Sequence, residues 1–385
     1  HQFVLSIADS LINYSDAFEY SIIHYKGEKP NQFFDSSRTE PRYLAIPQPS
    51  YSLVRKTLHF LGLVTGIEGF LIQHLDKTLR GKGIDLLVIP TPFSFDIPLS
   101  VPYVVSLPDY MHKYYPRSPE YGWKVRTARD IIYPYYAQNS LLTVADSNQG
   151  ADDIHTFARM PMAKLRVVKY IPPSYVYKYR DMTREEVETT LAHFKLPERF
   201  LFYPAQFWLQ KNHDRIIRAL HKIKQERGVT ISLVLVGNSK GNYAPCFEAV
   251  MKLAEKLGVR VDVHHLGYVE HKEVVALYKQ AVALVSPAFQ GPTTLPPLEA
   301  MVLGCPVVTA NIFEVPKQVG DAALLFNPSD IDDIAEKVYK VWTDENLRKE
   351  MVKRGYTQTR DLTLEHYGKE WLSVIEEALR HHDPR

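Results

Sequence analysis

Cysteine is scarce in this 385-residue chain: only Cys246 and Cys305 occur, and neither has neighbours at metal-ligand spacing. Two cysteines so placed exclude a disulfide-built scaffold and a cysteine-based zinc site, and match the usage of a reducing compartment. An excess of one charge sign is lacking too. The formal net charge is +2, and no stretch gathers the dense Lys/Arg patch that contact with nucleic-acid phosphates requires. Nucleic acid is therefore not an expected partner. Nor is there a run of about 20 clean apolar residues, the length that spans a bilayer. The longest apolar stretch, residues 58–72 (LHFLGLVTGIEGFLI), is interrupted by His59 and Glu68. It reads as a buried helix, with a membrane-surface helix as the alternative. The opening HQFVLSIADSL lacks the basic flank and cleavage site of a secretory signal. Solenoid repeats, low-complexity tracts, a P-loop and a G-x-S-x-G elbow are missing as well.

What is present is ordinary globular composition, 45% hydrophobic and 23% charged, in a chain too long for one core. Short apolar runs at residues 20–25, 84–89, 103–106, 141–144 and 165–168 alternate with helical or loop-like sequence. The second half repeats the pattern at 200–203, 231–236, 261–266, 283–286, 307–309 and 323–326. Such runs separated by helices predict parallel sheets covered on both faces. Helical stripes connect them: Ile216, Ile217, Leu220 and Ile223, then Ile331, Ile334, Val338 and Val341. A last amphipathic helix carries Tyr367, Trp371, Val374, Ile375 and Leu379. The prolines of YIPPS at 170–174 predict a hinge. The expected fold is α/β, two Rossmann-like doubly wound domains facing across a cleft: residues 1–173, residues 174–362, and a helix at 363–385 crossing back. Ligands in such sheets bind beyond the carboxyl ends of the strands.

The most informative stretch is 286–309, SPAFQGPTTLPPLEAMVLGCPVVT. A strand ends at Ser286, a loop follows, and a helix is predicted to start near Pro296 with Glu299 in its first turn. Proline suits the first helical positions because its missing N–H would be unpaired there. The loop Gly291, Thr293, Thr294 and Leu295 would aim free backbone N–H groups and the helix dipole at one point, where a diphosphate fits. Glu299 could accept hydrogen bonds from the two hydroxyls of a ribose. This string resembles the donor loop of family-four retaining glycosyltransferases, whose usual form is E-G-F-G-x-P-x-L-E-A-M followed by G-x-P-V-V. The match lies at 296–301 and 304–308, and GPTTLPPLEA looks like a recurring subtype. The first acid of the family's E-x7-E pair falls at Gln290, which can bond a sugar hydroxyl but carries no charge.

The resemblance implies the GT-B fold and a retaining, metal-independent transfer of a sugar from a nucleoside diphosphate, with no other cofactor. In FYPAQFWLQKNHD (202–214), Lys211–Asn212 matches the family's Lys–Asn pair, and Gln206 stands where an Arg is common. Lys211 would neutralise the departing diphosphate. The turns Gly237–Asn238 and Gly267–Tyr268–Val269 both follow apolar strands, where backbone groups could bind the edge of a base, and the second resembles the family's G-x-V segment there. In SLPDYMHKYYP (106–116), Asp109 and His112 match the acceptor-side segment, with Pro108 where a preceding His would stand. His112 could bond the donor sugar or position an acceptor hydroxyl. Relatives begin with a strand and a glycine-rich loop, whereas this sequence opens at His1 in helix-like sequence. The implied acceptor is a glycan or lipid-linked glycan of cell-surface polysaccharide, with mannose or rhamnose as the donor sugar. The implied location is cytoplasmic, with peripheral contact at the inner membrane face left open. A weak nucleotide-sugar-binding protein and a GT-B phosphorylase or epimerase remain alternatives. Asp330 and Asp332 have D-x-D spacing but open an amphipathic helix, so N-capping explains them. His264 and His265 point to opposite faces of a strand and cannot share a metal.

Overall fold

The computed structural model describes residues 2–25, 41–46, 79, 81–92 and 99–381; the apolar stretch at 58–72 lies outside them. The chain forms two compact units, His1–Tyr170 with Thr363–Arg385, and Ile171–Leu362. In the first unit, helix α1 (Gln2–Tyr14) precedes β1 (Ser21–Tyr25) and β2 (Arg42–Ile46), which pair in parallel. Strands β3 (Leu87–Ile89), β4 (Tyr103–Ser106), β5 (Leu142–Ala145) and β6 (Leu165–Val167) form a parallel sheet in that order. All four residues of β4 and of β5 are buried. Continuous burial is what a parallel strand covered on both faces requires. Three helices accompany this sheet: α2 (Met111–Tyr114), α3 (Trp123–Asn139) and α4 (Asn148–Ala158). The last is capped by Ser147, whose hydroxyl accepts from the Gly150 N–H at 3.0 Å.

The second unit alternates strand and helix: β7 (Leu201–Pro204), α5 (His213–Arg227), β8 (Leu233–Val236), α6 (Ala244–Lys256), β9 (Val263–His265) and α7 (His271–Gln280). It continues with β10 (Ala283–Ser286), α8 (Leu295–Val302), β11 (Val307–Ala310), β12 (Ala323–Phe326), α9 (Ile331–Thr343) and α10 (Glu345–Thr359). The parallel sheet has the order β12-β11-β10-β7-β8-β9. The order reverses between β7 and β10, which places a crevice at their carboxyl ends. The predicted stripe of α5 is buried throughout, with Ile216 and Ile217 fully so. Asp330 caps α9 as expected, accepting from the backbone N–H of Asp332 at 2.9 Å and Asp333 at 3.2 Å.

Beyond α10 the chain returns to the first unit as α11 (Leu364–His381), which packs on α1. Tyr367, Trp371, Val374 and Ile375 are buried there, while Leu379 is only partly so. The crossing is close because Gly368 has no side chain. A Cβ at that position would stand 2.7 Å from the Ser10 carbonyl oxygen. Arg166, in the middle of β6, donates through Nε to Glu377 at 2.7 Å and ties α11 to the sheet of the unit.

Candidate functional site

The loops after β7 and β10 come together at the strand-order reversal of the second unit. Asn212 holds them. It sits in the left-handed region at φ +60°, which asparagine tolerates better than most residues. Its side chain is buried and donates to the carbonyls of Pro287 at 2.8 Å and Pro328 at 2.9 Å. The Phe289 N–H also donates to the Gln210 carbonyl at 3.0 Å. Lys211, immediately before Asn212, is thereby fixed beside the loop that contains Gln290. Lys211 is half-buried with no carboxylate beside it among the described residues, and burial lowers the pKa of its ammonium. A desolvated cation without a counter-ion favours an anionic ligand. His213, the first residue of α5, is 1% exposed and stacks on Phe207 at 4.5 Å between ring centres. Burial, with the Lys211 charge adding to it, lowers the His213 pKa to about 3, so the ring is neutral.

Glu299 lies just past the first turn of α8, one residue further in than expected. The helix begins at Leu295, with Pro296 and Pro297 following, so its first turn contains no acid. The glutamate is 6% exposed. Burial raises its pKa to about 7 despite the hydrogen bond it accepts from the Tyr278 hydroxyl at 2.7 Å. Tyr175 belongs to the same neighbourhood: its ring stacks on His271 at 4.2 Å and 7°. Burial raises the Tyr175 phenol pKa, and the Glu299 charge adds to the rise. Tyr278, Tyr175 and His271 were not singled out from sequence. Tyr278 and His271 share α7, Tyr175 comes from the helix Ser174–Tyr179, and only the fold brings them to Glu299.

The expected row of free amides in the β10–α8 loop needs correction. The Thr294 N–H donates to Gln318 Oε1 at 3.2 Å, and Gln318 Nε2 returns a bond to the Thr294 carbonyl at 2.9 Å. One amide at the start of α8 is therefore taken by a side chain that also braces the loop. Gln290 is buried, whereas Gly291, Thr293 and Leu295 are partly exposed. Gln206, standing where an Arg is common, instead accepts from the Asn238 N–H through Oε1 at 2.7 Å. Gln206 and Asn238 thus tie the β7 loop to the β8 loop. Tyr268 is 81% exposed, but the Val269 side chain belongs to the hydrophobic core, leaving only its backbone for a ligand.

Gly237 is required by space. A Cβ there would stand 2.4 Å from the Ala205 carbonyl oxygen, a backbone atom with little room to move. His265 holds the same turn by bonding the Gly237 carbonyl at 2.9 Å. Gly237→Ala should cost about 2 kcal/mol or more, the scale of overpacking against a fixed backbone. Urea unfolding of the full chain checks it, and a loss under 0.5 kcal/mol would show that the β7 and β8 ends separate freely.

In the first unit, Asp109 and His112 are placed by the segment after β4. Asp109 Oδ1 accepts from the Met111 N–H at 2.9 Å and from Arg129 at 3.0 Å. Its carboxylate braces the turn into α2. His112 is not a surface histidine: it is 1% exposed and lies over Tyr110, with Nε2 2.9 Å from Asp130. Burial lowers its pKa, outweighing the raising effect of Asp130. Among the described residues, no cluster of three or more His, Cys, Asp or Glu could hold a metal ion, and no helix is long and apolar enough to cross a membrane.

Comparison with known proteins places this geometry. Residues 190–358 match the family described as Glycosyl transferases group 1. The chain is 31% identical over 157 residues to the O-antigen chain mannosyltransferase B of Escherichia coli, covering 40% of each protein. It is 28% identical over 180 residues to the E. coli serotype-specific mannosyltransferase WbdA, covering 46% of this chain and 22% of that one. The chain thus spans less than half the length of either relative. A solved structure of a glycosyltransferase from Rickettsia africae superposes with a TM-score of 0.73 at 12% identity, covering 98% of this chain and 96% of that one. The fold is GT-B, an α/β architecture of Rossmann-like units with parallel sheets.

Proposed function

We propose that the chain is a retaining glycosyltransferase that moves a sugar, mannose by its relatives, from a nucleoside diphosphate to a glycan or lipid-linked acceptor in cell-surface polysaccharide synthesis. The observation that carries the reading is that Gln210 and Asn212, on either side of Lys211, bond the loop after β10 at the strand-order reversal, with Glu299 buried in the helix that follows that loop. The match of residues 190–358 to the group 1 family covers all of these groups.

In this reading Glu299 accepts from the ribose hydroxyls, and the turns at Gly237–Asn238 and Gly267–Tyr268 border the base. Lys211 and the start of α8 stabilise the diphosphate as its charge grows, which supplies electrostatically what a metal would otherwise provide. Gln290 bonds a hydroxyl of the transferred sugar. The bond from sugar C1 to the diphosphate breaks, and the acceptor oxygen bonds C1 on the same face. The acceptor's proton passes to the leaving phosphate oxygen, so no protein carboxylate need act as the nucleophile. Asp109 and His112 act by holding the segment after β4, where the acceptor side is expected. The reaction is placed on the cytoplasmic side, with peripheral membrane contact.

A calorimetric panel of guanosine, uridine, adenosine and thymidine diphosphates tests the donor site. One base should bind at micromolar affinity. Lys211→Met should weaken that nucleoside diphosphate at least tenfold, about 1.4 kcal/mol, while leaving the matching nucleoside within twofold. No nucleotide binding by the intact chain would sink the reading.

A further inference from the structure

The first unit carries a pocket of about 400 Å³ that the donor chemistry leaves unused. One wall is α3. Trp123, Arg126, Thr127 and Asp130 recur there at helical spacing and so share a face. The opposite wall is α2 with His112 and Lys113. Trp123 is 68% exposed, an unusual position for the largest apolar side chain, and it lines a pocket whose other groups, apart from Pro116, are polar.

The charges are unevenly satisfied. Asp130 bonds both His112 at 2.9 Å and Lys113 at 2.8 Å, and the neighbouring Asp109 bonds Arg129. With both carboxylates engaged, Arg126 has no acidic partner among the described residues. Its Nε is buried with no acceptor. A buried guanidinium N–H without an acceptor is destabilising, and an oxyanion ligand would supply the acceptor. The aromatic plane beside it offers a sugar ring a stacking surface, as tryptophan does with its broad apolar face.

We propose that this pocket is an acceptor-side subsite for an acidic saccharide, with its oxyanion on Arg126 and its ring against Trp123. The term acceptor-side rests on the glycosyltransferase reading; the binding chemistry does not. Carboxylate and phosphate offer Arg126 the same paired oxygens, so the acidic group is that of a uronic acid or a sugar phosphate.

Ligand-observed NMR titrations of the full chain with mannose, mannose 6-phosphate, glucuronic acid and inorganic phosphate provide the test. At least one acidic sugar should bind tenfold or more tighter than mannose and than inorganic phosphate. Whichever acidic sugar binds tighter identifies the source of the oxyanion. Arg126→Gln should erase the preference for the acidic sugar, and Trp123→Ala should weaken that sugar about tenfold. Trp123→Ala should keep the unfolding temperature of the parent, Arg126→Gln should not lower it, and both should keep the parent's nucleoside diphosphate affinity. Equal binding of mannose and the acidic sugars, or a preference that survives Arg126→Gln, overturns the proposal. So does inorganic phosphate that binds as tightly as the sugar phosphate. A parent chain that binds an acidic sugar but no nucleotide keeps this subsite and overturns the donor reading; the converse result does the opposite.

Discussion

Glu299→Gln should make the protein more stable at pH 8 while weakening its hold on a nucleoside diphosphate at least tenfold. Burial raises the carboxyl pKa from the ordinary 4.5 to about 7. At about 1.4 kcal/mol per unit, keeping this group ionised in the folded state at pH 8 costs on the order of 3 kcal/mol. The sign follows from proton counting. Between pH 4.5 and about 7 the folded chain holds a proton that the unfolded chain has released, so the stabilisation is full below 4.5. It is lost as pH rises through about 7. Glutamine has the shape of the protonated acid and can still accept from the Tyr278 hydroxyl, so the variant escapes the loss. Urea unfolding at pH 8 should show a gain of about 2–3 kcal/mol that shrinks toward zero at pH 4. A gain that is independent of pH would mean that ionisation is not its cause.

The binding side runs in the opposite direction. A ribose diol needs an acceptor with both oxygens available, which is the ionised form. Parent affinity should therefore rise from pH 6 to pH 8, with protons released on binding near neutrality, and the glutamine variant should be flat. Strain of this kind, tolerated in the empty protein and relieved by a ligand, is expected of binding groups rather than of core packing.

Asn212→Ala should be the most damaging single change in the second unit outside its apolar core. It leaves the Pro287 and Pro328 carbonyls without the amide that bonds them. It also puts a β-carbon without side-chain compensation at φ +60°. A lost buried hydrogen-bonding group and a left-handed alanine together come to about 3 kcal/mol. Asn212→Gly separates the two effects, because it removes the amide and relieves the backbone. The alanine variant should lose about 1 kcal/mol more than glycine in urea unfolding. Both should weaken nucleoside diphosphate binding, since Lys211 is no longer held against the Gln290 loop. Unchanged affinity in Asn212→Gly would show that Lys211 finds its place without this tie.

The parallel strands were legible in the sequence because strands covered on both faces are apolar along nearly their whole length, and the edge strand β12, where only Phe326 is buried, happens to be apolar throughout as well. Residues 103–106, 283–286 and 323–326 match β4, β10 and β12 to the residue. Ends elsewhere moved by one to three residues, as at Leu233 and Leu87, because apolar residues continue past the end of a ladder. The role of Asp330 was legible for a similar reason: an N-cap bonds amides two and three residues away.

The site was legible only where it is local. Lys211, Gln290 and Glu299 lie in contiguous strings, and the resemblance of those strings to a glycosyltransferase donor loop is what implies an anion and a diol as ligands. What surrounds them was not legible. Gln206 and Thr294 carry groups suited to a ligand, yet the fold turns them toward Asn238 and Gln318. The exposure of His112 also had to come from the structure, since a lone histidine in a loop reads the same whether buried or not. By itself, then, the sequence determined the strand–helix alternation, because that follows from periodicity and short-range bonding. Only the tertiary structure decided which polar groups remain available to a ligand. It set the neutral state of His213, the raised pKa of Glu299 and the engagement of Asp109, because desolvation and long-range pairing depend on segments brought together by folding.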